Sequence, residues 1–181
     1  MGRVDAEPEL VRVEVVGVRT HLSDDEIVVL LLDPDSSLVV PILIGPTEAS
    51  AIAAAQAGIV PPRPMTHDLL RDALVAAGEP VHRVEITSLE EGVFHAALVL
   101  AGGQVVDSRA SDAIAVALRF GCPVLCSAEV VAVAGVEVRP AATEDDVAQF
   151  REFLDHVTPE DFETGNEPGT GPGTEPRGPN G

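Results

Sequence analysis

The chain of 181 residues contains no tryptophan, no tyrosine and no lysine, and only two cysteines and five phenylalanines. Without large aromatics, the core must be built from Val, Ala, Leu and Ile. All eleven basic residues are arginine, a bias that points to a GC-rich coding sequence rather than to a function. Cys122 and Cys126, four apart in "CPVLCS", have neither a CxxC redox spacing nor the second pair or histidine pair of a zinc site. They are expected to be buried, reduced thiols on one strand face. No apolar run approaches the ~20 residues of a membrane span. "MGRVDAEPEL" lacks the basic-then-apolar order of a signal peptide, so a cytoplasmic protein without membrane contact is expected.

Basic charge is also scarce: thirty acids give a net charge of -19. Residues 141–181 account for -8, with ten acids against Arg151 and Arg177, and the remainder for -11. Both parts are acidic, which argues against a protein that neutralises many phosphates nonspecifically. Any contact with nucleic acid has to be local or metal-bridged.

What the sequence does have is a repeated pattern. "VRVEVVGV" alternates like a half-buried strand, and "EIVVLLLDPDSSLVVPILIG" reads as a hairpin apolar on both faces around the turn cluster "DPDSS". "PTEASAIAAAQAG" reads as a helix starting at Pro46 or Thr47 and stopping at Gly58. The loop "IVPPRPM" precedes a second helix, "THDLLRDALVAAG", with Leu69, Leu70, Ala73, Leu74 and Ala77 on its apolar face. Strands then recur through "VHRVEITSLEEGVFHAALVLAGGQVVDSR", followed by the helix "ASDAIAVALRFG". Comparison of "ILIGPTEASAIAAAQAG" with "QVVDSRASDAIAVALRFG" implies a duplicated β-β-β-α unit. The expected fold is α+β, a compact single domain over residues 11–140 after an N-terminal extension (1–10). "CPVLCS" adds a strand and "AEVVAVAG" a short helix. A C-terminal helical extension (141–163), with Val147, Phe150, Phe153, Leu154 and Val157 as its apolar side, and a disordered acidic tail (164–181) follow.

Three helix starts place a hydroxyl beside an acid: Thr47-Glu48, Thr66-His67-Asp68 and Ser111-Asp112. Hydroxyl capping and acid–dipole attraction explain each of them structurally. Two of them also have an arginine leading in, Arg63 and Arg109, and a guanidinium fork at a helix start suits phosphate or carboxylate. His67 is the only histidine inside such a cluster, where it can serve as a general base or metal ligand, or simply donate to a nearby carbonyl. His21, His82, His95 and His156 fall on loop, strand or helix positions without such company. Asp107 lies five residues before Asp112, so both carboxylates can reach one divalent ion, and hard oxygen donors suit Mg or Mn. No DEDD, HNH, PD-ExK or GxGxxG signature is present.

At "LVVPILIGPTEASAIA", "RPMTHDLL" and "DSRASDAIAVAL" the sequence resembles the bifunctional nuclease (BFN) domain family over about residues 11–138. Pro41, Ile42, Ile44, Gly45, Glu48 and Ala49 match its first motif, and Arg63, Pro64, Thr66, His67, Asp68 and Leu69 its second. Asp107, Arg109, Ser111, Asp112 and Ala113 match the third. Leu43 replaces a frequent aromatic, and Ala110 replaces a proline that would stiffen the approach to the helix. The resemblance implies a compact α+β domain, often homo-oligomeric, with hydrolysis of phosphodiester bonds in DNA or RNA. On that basis Asp107, Asp112 and either Asp68 or Glu48 are expected to hold Mg or Mn. His67, with Asp68 and Asp112, would carry the acid–base chemistry, and Arg63, Arg109, Thr66 and Ser111 would bind phosphate. The alternative is a noncatalytic module that binds a small anion or a protein partner and uses the same charges as ion pairs and caps.

Overall fold

In strand β1 (Leu10–Thr20), Val13 faces the core while Arg12, Glu14 and Val16 face outward, as the alternation requires. The computed structural model from which this is read describes residues 9–20 and 26–137. The expected C-terminal helix and acidic tail, and all but the end of the N-terminal extension, lie outside the described residues. The pairing of β1 slips between Val15 and Gly17, and Gly17 adopts φ 147°, a backbone state that a side chain would strain.

Strands β2 (Ile27–Asp33) and β3 (Leu38–Ile44) form the expected hairpin. Its turn is tied by the buried Asp33 carboxylate, which accepts from the Asp35 N–H (3.0 Å) and the Ser36 hydroxyl (2.6 Å). Burial on both faces does not hold. Val29, Leu31, Val40, Ile42 and Ile44 are closed off on one face, whereas on the other Val39 is buried, Val28, Leu30 and Leu32 are half-buried and Leu43 is 61% exposed. The continuous core cluster lies on one side of the sheet only.

Helix α1 (Pro46–Gln56) follows, then α2 (Thr66–Ala76), strands β4 (Val81–Glu90), β5 (Val93–Leu100) and β6 (Val105–Arg109), and helix α3 (Ala110–Phe120). Strand β7 (Val124–Ser127), helix α4 (Ala128–Ala134) and the two-residue β8 (Val136–Glu137) complete the described chain. The sheet runs β6-β5-β4-β7-β1-β2-β3-β8, antiparallel except between β4 and β7. Two triplets thus extend outward from β7, each followed by a helix, and α1 packs on α3. This is the duplicated β-β-β-α plan, with α2 inserted between the copies.

Helix α3 occupies the centre: Ala113, Ile114, Ala115, Val116 and Ala117 are all buried, and small alanines let α1 and the sheet approach it closely. It ends on Gly121 at φ 63°, a left-handed C-terminal cap. Helix α2 buries no residue completely and sits at the margin. Of the two thiols only Cys126 is on β7 and fully buried, while Cys122 is half-buried in the link before it. Burial raises the Cys122 pKa and pushes that of Cys126 up to about 12.

The helix starts depart from the expected chemistry. No hydroxyl caps any of the three; the preceding residues Gly45, Met65 and Arg109 make no side-chain cap. At α2 an acid takes that role, and at α1 an acid lies close to it. Asp68 accepts from the Met65 N–H at 2.9 Å, and the Glu48 carboxylate folds back so closely that a Cβ on Gly45 would lie 2.5 Å from its Oε2. Because α3 forms the hub of the core, Ile114→Ala should cost about 2–5 kcal/mol in urea unfolding. Leu43→Ala, on the open face, should cost less than about 0.5 kcal/mol.

Candidate active site

Short strand β6 delivers Arg109 to the start of α3, and three residues later Asp112 projects from the first helical turn. The Arg109 Nε–H donates to Asp112 Oδ2 at 2.7 Å, and its Nη2 donates to Glu48 Oε1 at 2.9 Å on α1. One guanidinium therefore links the first turns of the two duplicated helices. The other Asp112 oxygen, Oδ1, lies 3.0 Å from His67 Nε2 in the first turn of α2. The N-terminal turns of all three helices meet in a single chain, Glu48–Arg109–Asp112–His67. Arg109 remains 68% exposed at its side chain, whereas His67 is only 13% exposed.

Burial raises the Asp112 pKa, but hydrogen bonds from Arg109 and His67 outweigh it and hold the group below the ordinary carboxylate range. Glu48 is lowered first by its own backbone N–H and then by Arg109. Arg109 is raised in turn by bonds to Asp112 and Glu48. An ionised Asp112 can only accept, so the Nε2 facing it carries a proton, which in a neutral imidazole leaves Nδ1 as the acceptor.

Thr66, His67, Asp107, Arg109 and Asp112 line one cleft of about 620 Å³, whose remaining walls are Leu70 and Leu74 of α2 and Leu98, Leu100, Val106 and Ser108 of the sheet. Ser111 is 9% exposed and lines a second cleft of about 290 Å³ on the other side of Arg109. Glu48 lines neither cleft and joins the site through Arg109, and Arg63 and Asp68 stand apart from both. Arg63 is exposed on the loop before α2 and has no hydrogen-bond partner among the described residues. Asp68 turns to the opposite side of α2, where burial raises its pKa but Met65 N–H and Arg119 outweigh it and hold it low.

The carboxylates do not form the expected ion cage. Among the described residues no three His, Cys, Asp or Glu side chains come together as a metal site. Arg109 takes up the space between Glu48 and Asp112, and Asp107 lies on the exposed face of β6. As placed, this set does not fit a pre-formed three-carboxylate centre for Mg or Mn.

Arg119 was not singled out by its sequence context, yet it organises the site from behind. It is 5% exposed and donates to Asp68 Oδ1 (2.5 Å) and to the Ala115 (2.8 Å) and Ala51 (3.3 Å) carbonyls, tying α2, α3 and α1 together. The one available signal was an arginine in the last turn of an otherwise apolar helix, where a cation answers the helix dipole.

The fold and site define an α+β domain of two fused β-β-β-α units with a charged cleft where their helix starts meet. A family model described as bifunctional nuclease domain matches residues 29–139. The chain belongs to that family. It is also similar to two uncharacterized proteins of Mycobacterium tuberculosis, from strains CDC 1551 / Oshkosh and ATCC 25618 / H37Rv. Each is 42% identical over 158 residues, covering 83% of this chain and 96% of the relative. Among the described residues no helix is long and apolar enough to cross a membrane.

Two outcomes follow from this geometry. Glu48, Asp68 and Asp112 have folded-state pKa values below their ordinary values of 4.5, 3.8 and 3.8. Their contribution to stability is complete above those values and disappears as pH falls through the lower folded ones. The urea midpoint should therefore be level above about pH 5 and drop below about pH 4.5, and Asp112→Asn should make the drop shallower. Arg119→Leu should cost about 3 kcal/mol, because it leaves the Asp68 carboxylate and two carbonyls without their donor.

Proposed function

We propose that this protein hydrolyses phosphodiester bonds in DNA or RNA, with His67 as general base and Arg109 as the phosphate-binding group. The observation that carries this reading is the His67–Asp112–Arg109 chain along the wall of an open cleft. Asp112 orients the imidazole and stabilises it once Nδ1 takes a proton from the attacking water. That water's oxygen bonds to phosphorus as the bond to the leaving sugar oxygen breaks, and the leaving oxygen takes a proton from the imidazolium or solvent. Arg109 uses two of its five N–H groups on Asp112 and Glu48. The remaining three form a donor edge for the non-bridging phosphate oxygens, whose charge grows as the bond breaks.

Glu48, Asp107 and Asp112 set three negative charges against the one of Arg109, so a phosphate enters an unfavourable field. A divalent ion, Mg or Mn, would offset that field when bound. A second reading, the noncatalytic anion- or protein-binding module, is supported by the pairing of Glu48, Arg109, Asp112 and Asp68 into ion pairs that join helices.

The test is cleavage of single-stranded and duplex DNA and RNA with EDTA, Mg or Mn. His67→Ala should lower kcat/KM by about 10²–10⁴-fold, with Asp112→Asn close behind and the fold intact by circular dichroism. Activity indifferent to both substitutions would contradict the mechanism, and absence of activity under every condition would favour the binding module.

A further inference from the structure

Two clefts meet at Arg109, and they share a character that a binder of long nucleic acid would not have. The larger, about 620 Å³, has a floor of Leu70, Leu74, Leu98 and Val106 and keeps its charged groups at the Arg109 end. The smaller, about 290 Å³, opens on the other side of the guanidinium, between the end of β3 and the start of β5, and is walled by Leu43, Val93 and Phe94. Such walls suit the faces of two bases, and Phe94 offers a ring for stacking. They offer no donors to further phosphates.

Among the described residues Arg109 is the only arginine lining either cleft. Arg71, Arg83 and Arg119 are committed to Asp72, Glu85 and Asp68. Arg12, Arg19 and Arg63 line neither cleft and are scattered singly, so with a net charge of -19 over the whole chain a strand leaving either cleft meets no continuous basic track among the described residues.

We propose, building on the nuclease reading above, that the site takes a dinucleotide-length single strand: one phosphate on Arg109 and one nucleoside in each flanking cleft. Neighbouring phosphates contribute almost nothing, so short oligonucleotides are substrates on a par with long ones. Duplexes are refused, because two bases cannot enter the clefts while paired.

The experiment compares a dinucleoside monophosphate, a 24-nucleotide single strand and the matching duplex as substrates over a range of salt concentrations. In parallel, binding of the dinucleoside monophosphate to the His67→Ala protein is measured by calorimetry. Val106→Glu and Leu43→Glu, at side chains already exposed to solvent, each block one cleft without disturbing the core. The expected result is a kcat/KM for the dinucleotide within about tenfold of the 24-mer, a slope of log kcat/KM against log salt near about -1, and an uncleaved duplex. Each glutamate should weaken dinucleotide binding by about tenfold or more.

A dinucleotide about a hundredfold poorer than the 24-mer, with a slope of about -4 or steeper, would overturn the footprint and leave the nuclease reading intact. If no substrate is cleaved, the nuclease reading fails and binding decides the footprint. Dinucleotide binding that both glutamates weaken upholds it; binding indifferent to either, or none at about 1 mM, refutes it.

Discussion

The structure of the site depends on one guanidinium. Arg109 stands at the junction of β6 and α3 and holds Glu48 of α1 with one nitrogen and Asp112 of α3 with another. Two helix starts, each followed by its own acid, would otherwise bring like charges together where the duplicated units meet. A single cation between them turns that repulsion into a bridge. The second oxygen of Asp112 is thereby left to orient His67, so the same contact that joins the two units also sets the imidazole. Loss of Arg109 would free two carboxylates at once.

A second cation works from behind. Arg119 closes the last turn of α3 onto the first turn of α2 through Asp68 and reaches an α1 carbonyl as well. The two arginines at opposite ends of α3 divide the labour: one faces solvent and the clefts, while the other is buried and fixes the angle of α2. Because α2 buries none of its residues completely and meets the core through the half-buried Leu74, this tether adds to that packing in keeping His67 in reach of Asp112. Asp68 therefore belongs with the supports of the site, on the side of α2 away from the cleft.

Much of this was legible in the sequence, for identifiable reasons. The strand alternation, the proline and glycine limits of the helices and the recurrence of "GPTEASAIA" in "SRASDAIAV" are local signals, and each corresponds to an element of the structure. Glu48, His67, Asp107, Arg109 and Asp112 could be nominated because they cluster at helix starts. Their partners could not be: the Asp68–Arg119 pair spans 51 positions and Arg109–Glu48 spans 61, separations that no pattern within a helix encodes. The hydroxyls looked like caps, yet at α2 it is Asp68 that takes the role, because a carboxylate three residues into the helix can reach back to the N–H that opens it. Apolar residues throughout β2 and β3 suggested two covered faces, and the sheet closes one.

The central claim is that His67 and Asp112 act as one unit on a substrate held at Arg109. A double-mutant cycle on kcat tests it most directly, comparing His67→Ala, Asp112→Asn and the double variant on the same oligonucleotide. The account requires the double variant to be little slower than His67→Ala alone, because Asp112 works mainly through the imidazole and its Asn replacement keeps an oxygen that accepts from Arg109. Losses that multiply, with each substitution costing the same whether or not the other is present, would show two independent groups and contradict it.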